Sequence, residues 1–188
     1  MSLIANAITK LERVPLPDRI TMVGIDYLVS KSRRRLTNVP ITAEIEFLQE
    51  MQRYPIASHT ELANAQHYEV PAAFFAQFLG PRRKYSCCLY PDATTSLAEA
   101  ETLALAETVA RADVVDGQSI LELGCGWGAV SLYMAERFPN AKITAVSNSQ
   151  SQHTYITSQA ASRQLTNLTV TTANMNNFAP IGRFDRII

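Results

Sequence analysis

The sequence predicts an α/β fold, a doubly wound parallel sheet preceded by an α-helical region, and three observations predict it. From Ser96 onward, helical and strand-like patterns alternate. Strands separated by helices at this spacing need right-handed crossovers and so pair in parallel. A short apolar strand runs into Gly124-Cys125-Gly126-Trp127-Gly128 and then into a helix, a turn that such sheets place at the carboxyl ends of their strands. Before that zone, apolar residues recur at helical spacing between prolines. Residues 1–80 therefore read as an N-terminal helical region and 81–188 as the sheet domain.

The N-terminal elements follow in order. Leu3, Ile4, Ala7, Ile8 and Leu11 share a helix face until Pro15 and Pro17 end the run. Asp18 can cap a second helix carrying Ile20, Val23, Tyr27 and Leu28 on one side. Thr42 can cap a third, with Ile45, Leu48 and Met51 facing inward until Pro55. A fourth starts near Ala72 and ends at Gly80-Pro81, a terminal glycine followed by a proline stop. These helices are amphipathic, which suits packing against a neighbouring domain or contact with a membrane surface.

The second zone opens with a capping box. The Ser96 hydroxyl accepts from a free first-turn N–H and Glu99 reaches back, starting a helix that runs to about Ala112. Asp116-Gly117 makes a turn before the strand Ile120-Leu121-Glu122-Leu123. After the glycine loop a helix spans about Ala129 to Phe138, stopped by Pro139-Asn140. Lys142 to Ser147 is the second strand, about Ser149 to Arg163 a polar helix, and Leu168 to Thr172 the third strand. Phe184 to Ile188 begins a fourth.

Composition narrows the function classes. Seventeen basic residues balance seventeen acidic ones, so no overall field favours nucleic acid. The clusters Lys31 to Arg35 and Arg82-Arg83-Lys84 read as solvated helix ends or loops, or as a surface for phosphate or anionic lipid. Cys87, Cys88 and Cys125 form no CxxC pair and no metal spacing with the three histidines, so no metal is expected. Reduced thiols point to the cytoplasm. The first ten residues lack the basic start and apolar core of a signal peptide, and no apolar run approaches the ~20 residues needed to cross a bilayer.

The glycine loop is where chemistry is expected. Glycines permit unusual backbone angles and close approach of a ligand, and the following helix start offers free N–H groups to negative charge. Gly124, Gly126 and Ala129 also satisfy a loose dinucleotide fingerprint. That reading wants a carboxylate at the end of the second strand to hold ribose hydroxyls. Here the strand ends Ala145-Val146-Ser147-Asn148-Ser149, which has none, although hydroxyls and amides can hold a ribose too. The glycine spacing alone leaves both ligand classes open.

Five segments then occur in order: His67-Tyr68-Glu69-Val70-Pro71, Phe74-Phe75, Lys84-Tyr85-Ser86-Cys87-Cys88, Leu97-Ala98-Glu99-Ala100-Glu101, and Leu121-Glu122-Leu123-Gly124-Cys125-Gly126-Trp127-Gly128. Together they resemble the methyltransferase superfamily that contains the cyclopropane fatty-acid synthases and the plant coclaurine N-methyltransferases. The resemblance covers roughly residues 66–188. The paired cysteines and Ser131-Leu132-Tyr133-Met134 after the loop lean toward the coclaurine type.

The resemblance implies a Rossmann-like class I methyltransferase sheet and S-adenosylmethionine as cofactor. It matches Tyr85 and Ser86 to a pair closing over the methionine end. Ile120 to Gly128, with Glu122, Leu123, Gly124, Cys125, Gly126 and Trp127, matches the strand and loop whose amides meet the carboxylate of that group. Ser147, Asn148, Ser149 and Gln152 fit the ribose-and-adenine edge, while Ser147 and Ser149 can equally cap the next helix. Asn174 and Met175 lie where the family contacts adenine; many relatives carry Asp at the position of Asn174.

His67 reads as a structural histidine rather than a base, Cys87 as a small buried side chain, and no catalytic residue is assigned. The family's sheet has seven strands, so the expectation is a chain truncated at its fourth, before the Glu- and His-bearing segment that lines the reaction site. The resemblance implies an acceptor that is a small molecule, an amine in the coclaurine type, or a lipid double bond in the cyclopropane type with bicarbonate as base. A non-catalytic fragment that holds the cofactor, and a nicotinamide oxidoreductase, are the other readings.

Overall fold

Local chemistry sets most element boundaries in the computed structural model of the chain, which describes residues 17–37, 39–67 and 71–188, the side chains of 64–67 excepted. The helix expected over Leu3 to Leu11 and the Tyr68-Glu69-Val70 part of the motif lie outside the described residues. The chain divides into two units, at Tyr54 and Pro55.

The first unit contributes α1 (Asp18–Thr37) and α2 (Ala43–Met51). Asp18 is not the cap of α1 but lies in its first turn, because the Pro17 carbonyl already accepts from Ile20 and Thr21. Thr42 does not cap α2 through its side chain: its backbone is already helical (φ −76, ψ −16), which turns the hydroxyl away from the first free N–H groups. Nor do Ile45, Leu48 and Met51 face inward; they are 58%, 62% and 51% exposed, and neither helix buries a residue. Amphipathic spacing determines which residues share a stripe. It does not supply a surface to cover the stripe.

The second unit contains α3 (Thr60–His67), α4 (Ala72–Phe75), α5 (Leu97–Arg111), β1 (Ser119–Leu123), α6 (Ala129–Arg137), β2 (Lys142–Ser147), α7 (Gln150–Ser162), β3 (Leu168–Thr172) and β4 (Arg186–Ile187). Two features depart from expectation. Helix α3 is additional, and α4 is a single turn ending at Phe75 rather than a helix reaching Gly80. The capping box of α5 is complete: Ser96 accepts from the Glu99 N–H while the Glu99 carboxylate accepts from the Ser96 N–H. The turn predicted at Asp116-Gly117 and the helix stop predicted at Pro139-Asn140 tie to each other, since Asp116 accepts from the backbone and side-chain amides of Asn140 and from Ala141 N–H.

All four strands are parallel, in the order β3-β2-β1-β4, with Leu123 opposite Val146. Strands β1 to β3 step in one direction and β4 returns to the other side of β1. The carboxyl end of β1 is therefore a topological switch point, the place where such sheets open a crevice. Beneath it lie two apolar clusters. One joins Val109, Ile120, Met134 and Ile143, and the other joins Cys125, Leu132, Ala145, Ile156 and Ala160. Cys125, within the strand-to-helix turn, belongs to the second of them.

Candidate functional site

The turn after β1 is built from glycines in the left-handed region. Gly124, Gly126 and Gly128 have φ of 81°, 53° and 75°, values costly for residues with a Cβ. Within the turn the N–H groups of Gly124 and Cys125 both donate to Val146 O, and that of Gly128 donates to Cys125 O. The expectation that the loop amides as a set face a ligand is thereby narrowed. Those of Gly126 and Trp127 are the loop donors that these turns leave over.

Beside this loop lies a cavity of about 290 Å³ lined by Tyr85, Ser86, Glu122, Gly124, Cys125, Gly126, Trp127, Ser147, Asn148 and Gln152. Ten of the expected site residues thus converge, from segments up to 67 positions apart. Leu123, Gly128, Ser149, Asn174 and Met175 are not in its lining. Gly128 instead lies under the helix start, and Ser149 is the N-cap of α7, accepting from the Gln152 N–H. Asn174 is engaged on both sides: its Nδ2 donates to Thr60 Oγ1 and its Oδ1 accepts from the Asn176 N–H, both at 3.0 Å. Arg83, Lys84, Ala129 and Val130 also line the cavity. The sequence marks Arg83 only as part of a basic cluster; its place at the cavity depends on ring contacts with distant residues.

The walls differ in chemistry. Trp127, 1% exposed, packs against Phe75 (4.9 Å between ring centroids) and Tyr155 (5.5 Å). Tyr85 meets Phe75 edge-on, and the Arg83 guanidinium stacks 4.1 Å from the centre of the Tyr155 ring. On the polar side the Ser147 hydroxyl accepts from the Ser149 N–H (3.0 Å) and donates to Gln152 Oε1 (2.6 Å). This fixes the Gln152 amide with its Nε2 buried and, among the described residues, without a partner, as is Trp127 Nε1. A buried N–H left without an acceptor costs about 1–3 kcal/mol, so both donors fit a ligand rich in oxygen and nitrogen acceptors. The space where a Gly126 Cβ would sit is open to 4 Å, which fits close approach of such a ligand to the backbone.

Glu122, at the end of β1, is buried and accepts a hydrogen bond from Ser131 Oγ. Burial pushes its carboxyl from the usual 4.5 up to about 7, the Ser131 bonds offsetting this in part. The folded chain therefore holds this proton where the unfolded chain has lost it. Stability from this group is full below pH 4.5 and is lost as pH rises through 7, by about 3 kcal/mol in all. Denaturant titrations of wild type and Glu122→Gln are expected to diverge accordingly, the Gln variant gaining relative to wild type between pH 4.5 and 7.5. A difference that stays constant with pH contradicts this. Burial likewise pushes the Cys125 thiol up to about 12, with the Glu122 charge adding to it, so the thiol is not a nucleophile at neutral pH.

Comparison with known proteins identifies this architecture. The model of the mycolic acid cyclopropane synthetase family matches residues 57–188. An (S)-coclaurine N-methyltransferase of Thalictrum flavum subsp. glaucum is 31% identical over 100% of this chain and 53% of its own length. An (S)-tetrahydroprotoberberine N-methyltransferase of Eschscholzia californica is 34% identical over 77% of this chain and 41% of its own. The crystal structure of a coclaurine N-methyltransferase bound to N-methylheliamine and SAH superposes with a TM-score of 0.78 at 34% identity, covering 99% of this chain and 55% of that one. The chain spans about half the length of the curated relatives it matches. With a parallel sheet, a glycine turn at its switch point and a family match over its second unit, the chain belongs to the mycolic acid cyclopropane synthetase family, within the superfamily of S-adenosylmethionine-dependent methyltransferases.

Proposed function

We propose that the chain is the cofactor-holding part of an S-adenosylmethionine-dependent methyltransferase of the coclaurine N-methyltransferase type, acting on a small-molecule acceptor, an amine. The observation that carries this reading is the cavity after β1, where a glycine floor open to a ligand meets the unpartnered Nε2 of Gln152. Similarity to N-methyltransferases over the whole chain supports it, as does the SAH in the solved relative.

In this reading residues 81–188 form the cofactor domain, with residues 1–80 as an accessory helical region. Tyr85 and Ser86 close over the methionine end. The Gly126 and Trp127 amides donate to its carboxylate, and Gly124 and Gly128 shape the turn. Gln152, oriented by Ser147, donates to the ribose-and-adenine edge beside Asn148 and Ser149. Asn174 and Met175 border adenine through the loop that Thr60 and Asn176 hold in place. Bound there, the cofactor supplies a methyl group made electrophilic by its own sulfonium charge. What remains for the protein is to place an acceptor in line and take up a proton.

A cytoplasmic location is part of the proposal, supported by three free cysteines. Among the described residues no helix is long and apolar enough to cross a membrane. The exposed apolar residues of α1 and α2 support packing against a neighbour or peripheral membrane contact. The family match favours a second reading, transfer to a lipid double bond as in cyclopropane-fatty-acyl-phospholipid synthases.

Titration calorimetry tests the cofactor. Heat is expected with S-adenosylmethionine and none with NAD; heat with NAD alone overturns the proposal. Methyl-labelled cofactor, offered with a secondary amine or with unsaturated phospholipid, separates the two acceptors by the product that carries label. Cofactor binding with label in neither favours a non-catalytic fragment.

A further inference from the structure

Glu101 has no part in the function proposed above, yet its side chain is fully enclosed, 0% exposed, on the inner face of α5 beside Ala100, Leu105 and Val109. A carboxylate in such a place is stable only when its oxygens are hydrogen-bonded. Both are, and by one loop: Oε2 accepts from the Arg82 N–H at 2.9 Å and Oε1 from the Lys84 N–H at 3.0 Å. Gly80 completes the enclosure. A Cβ there would stand 2.6 Å from the Glu101 carboxyl carbon, so only glycine lets the chain pass.

Residues 80–84 thus fold around one carboxylate, and the fold has a directional consequence. Between the two donors, Arg83 adopts a left-handed backbone (φ 50°) and its guanidinium lies over the Tyr155 ring, donating to Ala72 O at 3.1 Å. The next residues, Lys84, Tyr85 and Ser86, leave as the cavity wall. Lys84 Nζ then bonds Ser86 Oγ and Cys87 O, carrying the constraint along the wall.

We propose that Glu101 is a positioning residue for the cofactor. Its carboxylate sets the backbone path that places Arg83 to Ser86 against the cavity, and so governs cofactor affinity without touching the cofactor. The role rests on the reading of the cavity as the S-adenosylmethionine site.

Glu101→Gln replaces one accepting oxygen with a donating NH₂, which cannot receive the Arg82 or Lys84 N–H. Gly80→Ala keeps the charge but pushes the carboxylate off the same two amides. Each variant is expected to raise the S-adenosylmethionine dissociation constant about tenfold or more by calorimetry. The emission of Trp127, the one tryptophan in the chain, should shift as Arg83 moves. Val109→Ala, a core truncation on the same helix, serves as the control: it should lower the melting midpoint and leave affinity unchanged. If Glu101→Gln fails to fold, Gly80→Ala decides alone. Wild-type affinity in the variant that folds, or an equal loss in Val109→Ala, overturns the positioning role only. Absence of binding by the wild-type chain overturns the reading of the cavity and the role with it.

Discussion

Gly128→Ala is expected to destabilise the second unit by about 3 kcal/mol or more and to lower its melting midpoint by about 10 °C. Two costs add. Gly128 sits at φ 75° and ψ 24°, where any residue with a Cβ loses roughly 1–2 kcal/mol. The added Cβ would also lie 2.6 Å from Ile156 Cγ1, with Ile156 Cδ1 at 3.0 Å and Cγ2 at 3.1 Å. Ile156 cannot turn aside, because it is fully buried among Cys125, Leu132, Ala145 and Ala160. Overpacking a site of this kind costs about 1–3 kcal/mol. Denaturant unfolding with and without Ile156→Ala isolates the steric part: the double variant should recover stability relative to the sum of the single ones. A loss below about 1 kcal/mol in Gly128→Ala would mean that α7 does not approach the turn this closely.

Two residues earlier, the same kind of substitution has a different consequence. Gly126→Leu is expected to reduce S-adenosylmethionine affinity at least about 100-fold while costing only roughly 1–2 kcal/mol of stability from its left-handed backbone. A Cβ at Gly126 meets no protein atom within 4 Å, so the new side chain has room in the empty chain. That room is the cavity, and the proposed cofactor tail would have to compete for it. Calorimetry and a melting curve on one preparation separate the two effects. Unchanged affinity would remove the loop from the binding site, whatever else the cavity holds.

Much of this was legible before any coordinates. The Ser96 and Glu99 box, the Asp116-Gly117 turn, the strands β1 to β3 and the glycine turn each depend on residues within a few positions of one another, and chemistry at that range is written in order along the chain. Expected site residues at the ends of β1 and β2 meet at the cavity for the same reason, since a parallel sheet with the β1 turn at its switch point brings those ends together wherever it forms. The errors share a different property. Gly80 reads as a helix stop but serves the Glu101 carboxylate, 21 positions away. No local signal announces the bond that ties Asn174 to Thr60, 114 positions back. Ile45, Leu48 and Met51 read as inward-facing and are exposed.

By itself the sequence determined most of the segments that become helices and strands, the parallel sense of the sheet, and the position of the glycine turn, because periodicity and turn chemistry are local. Only the tertiary structure decided which amides of that turn stay available, which glycines border the cavity and which meets Ile156, and that a buried carboxylate on α5 binds the loop leading to the cavity wall. Those outcomes depend on distances between groups far apart in the chain, and the hydrogen-bond and packing energies that decide them exist only once the fold has brought the groups together.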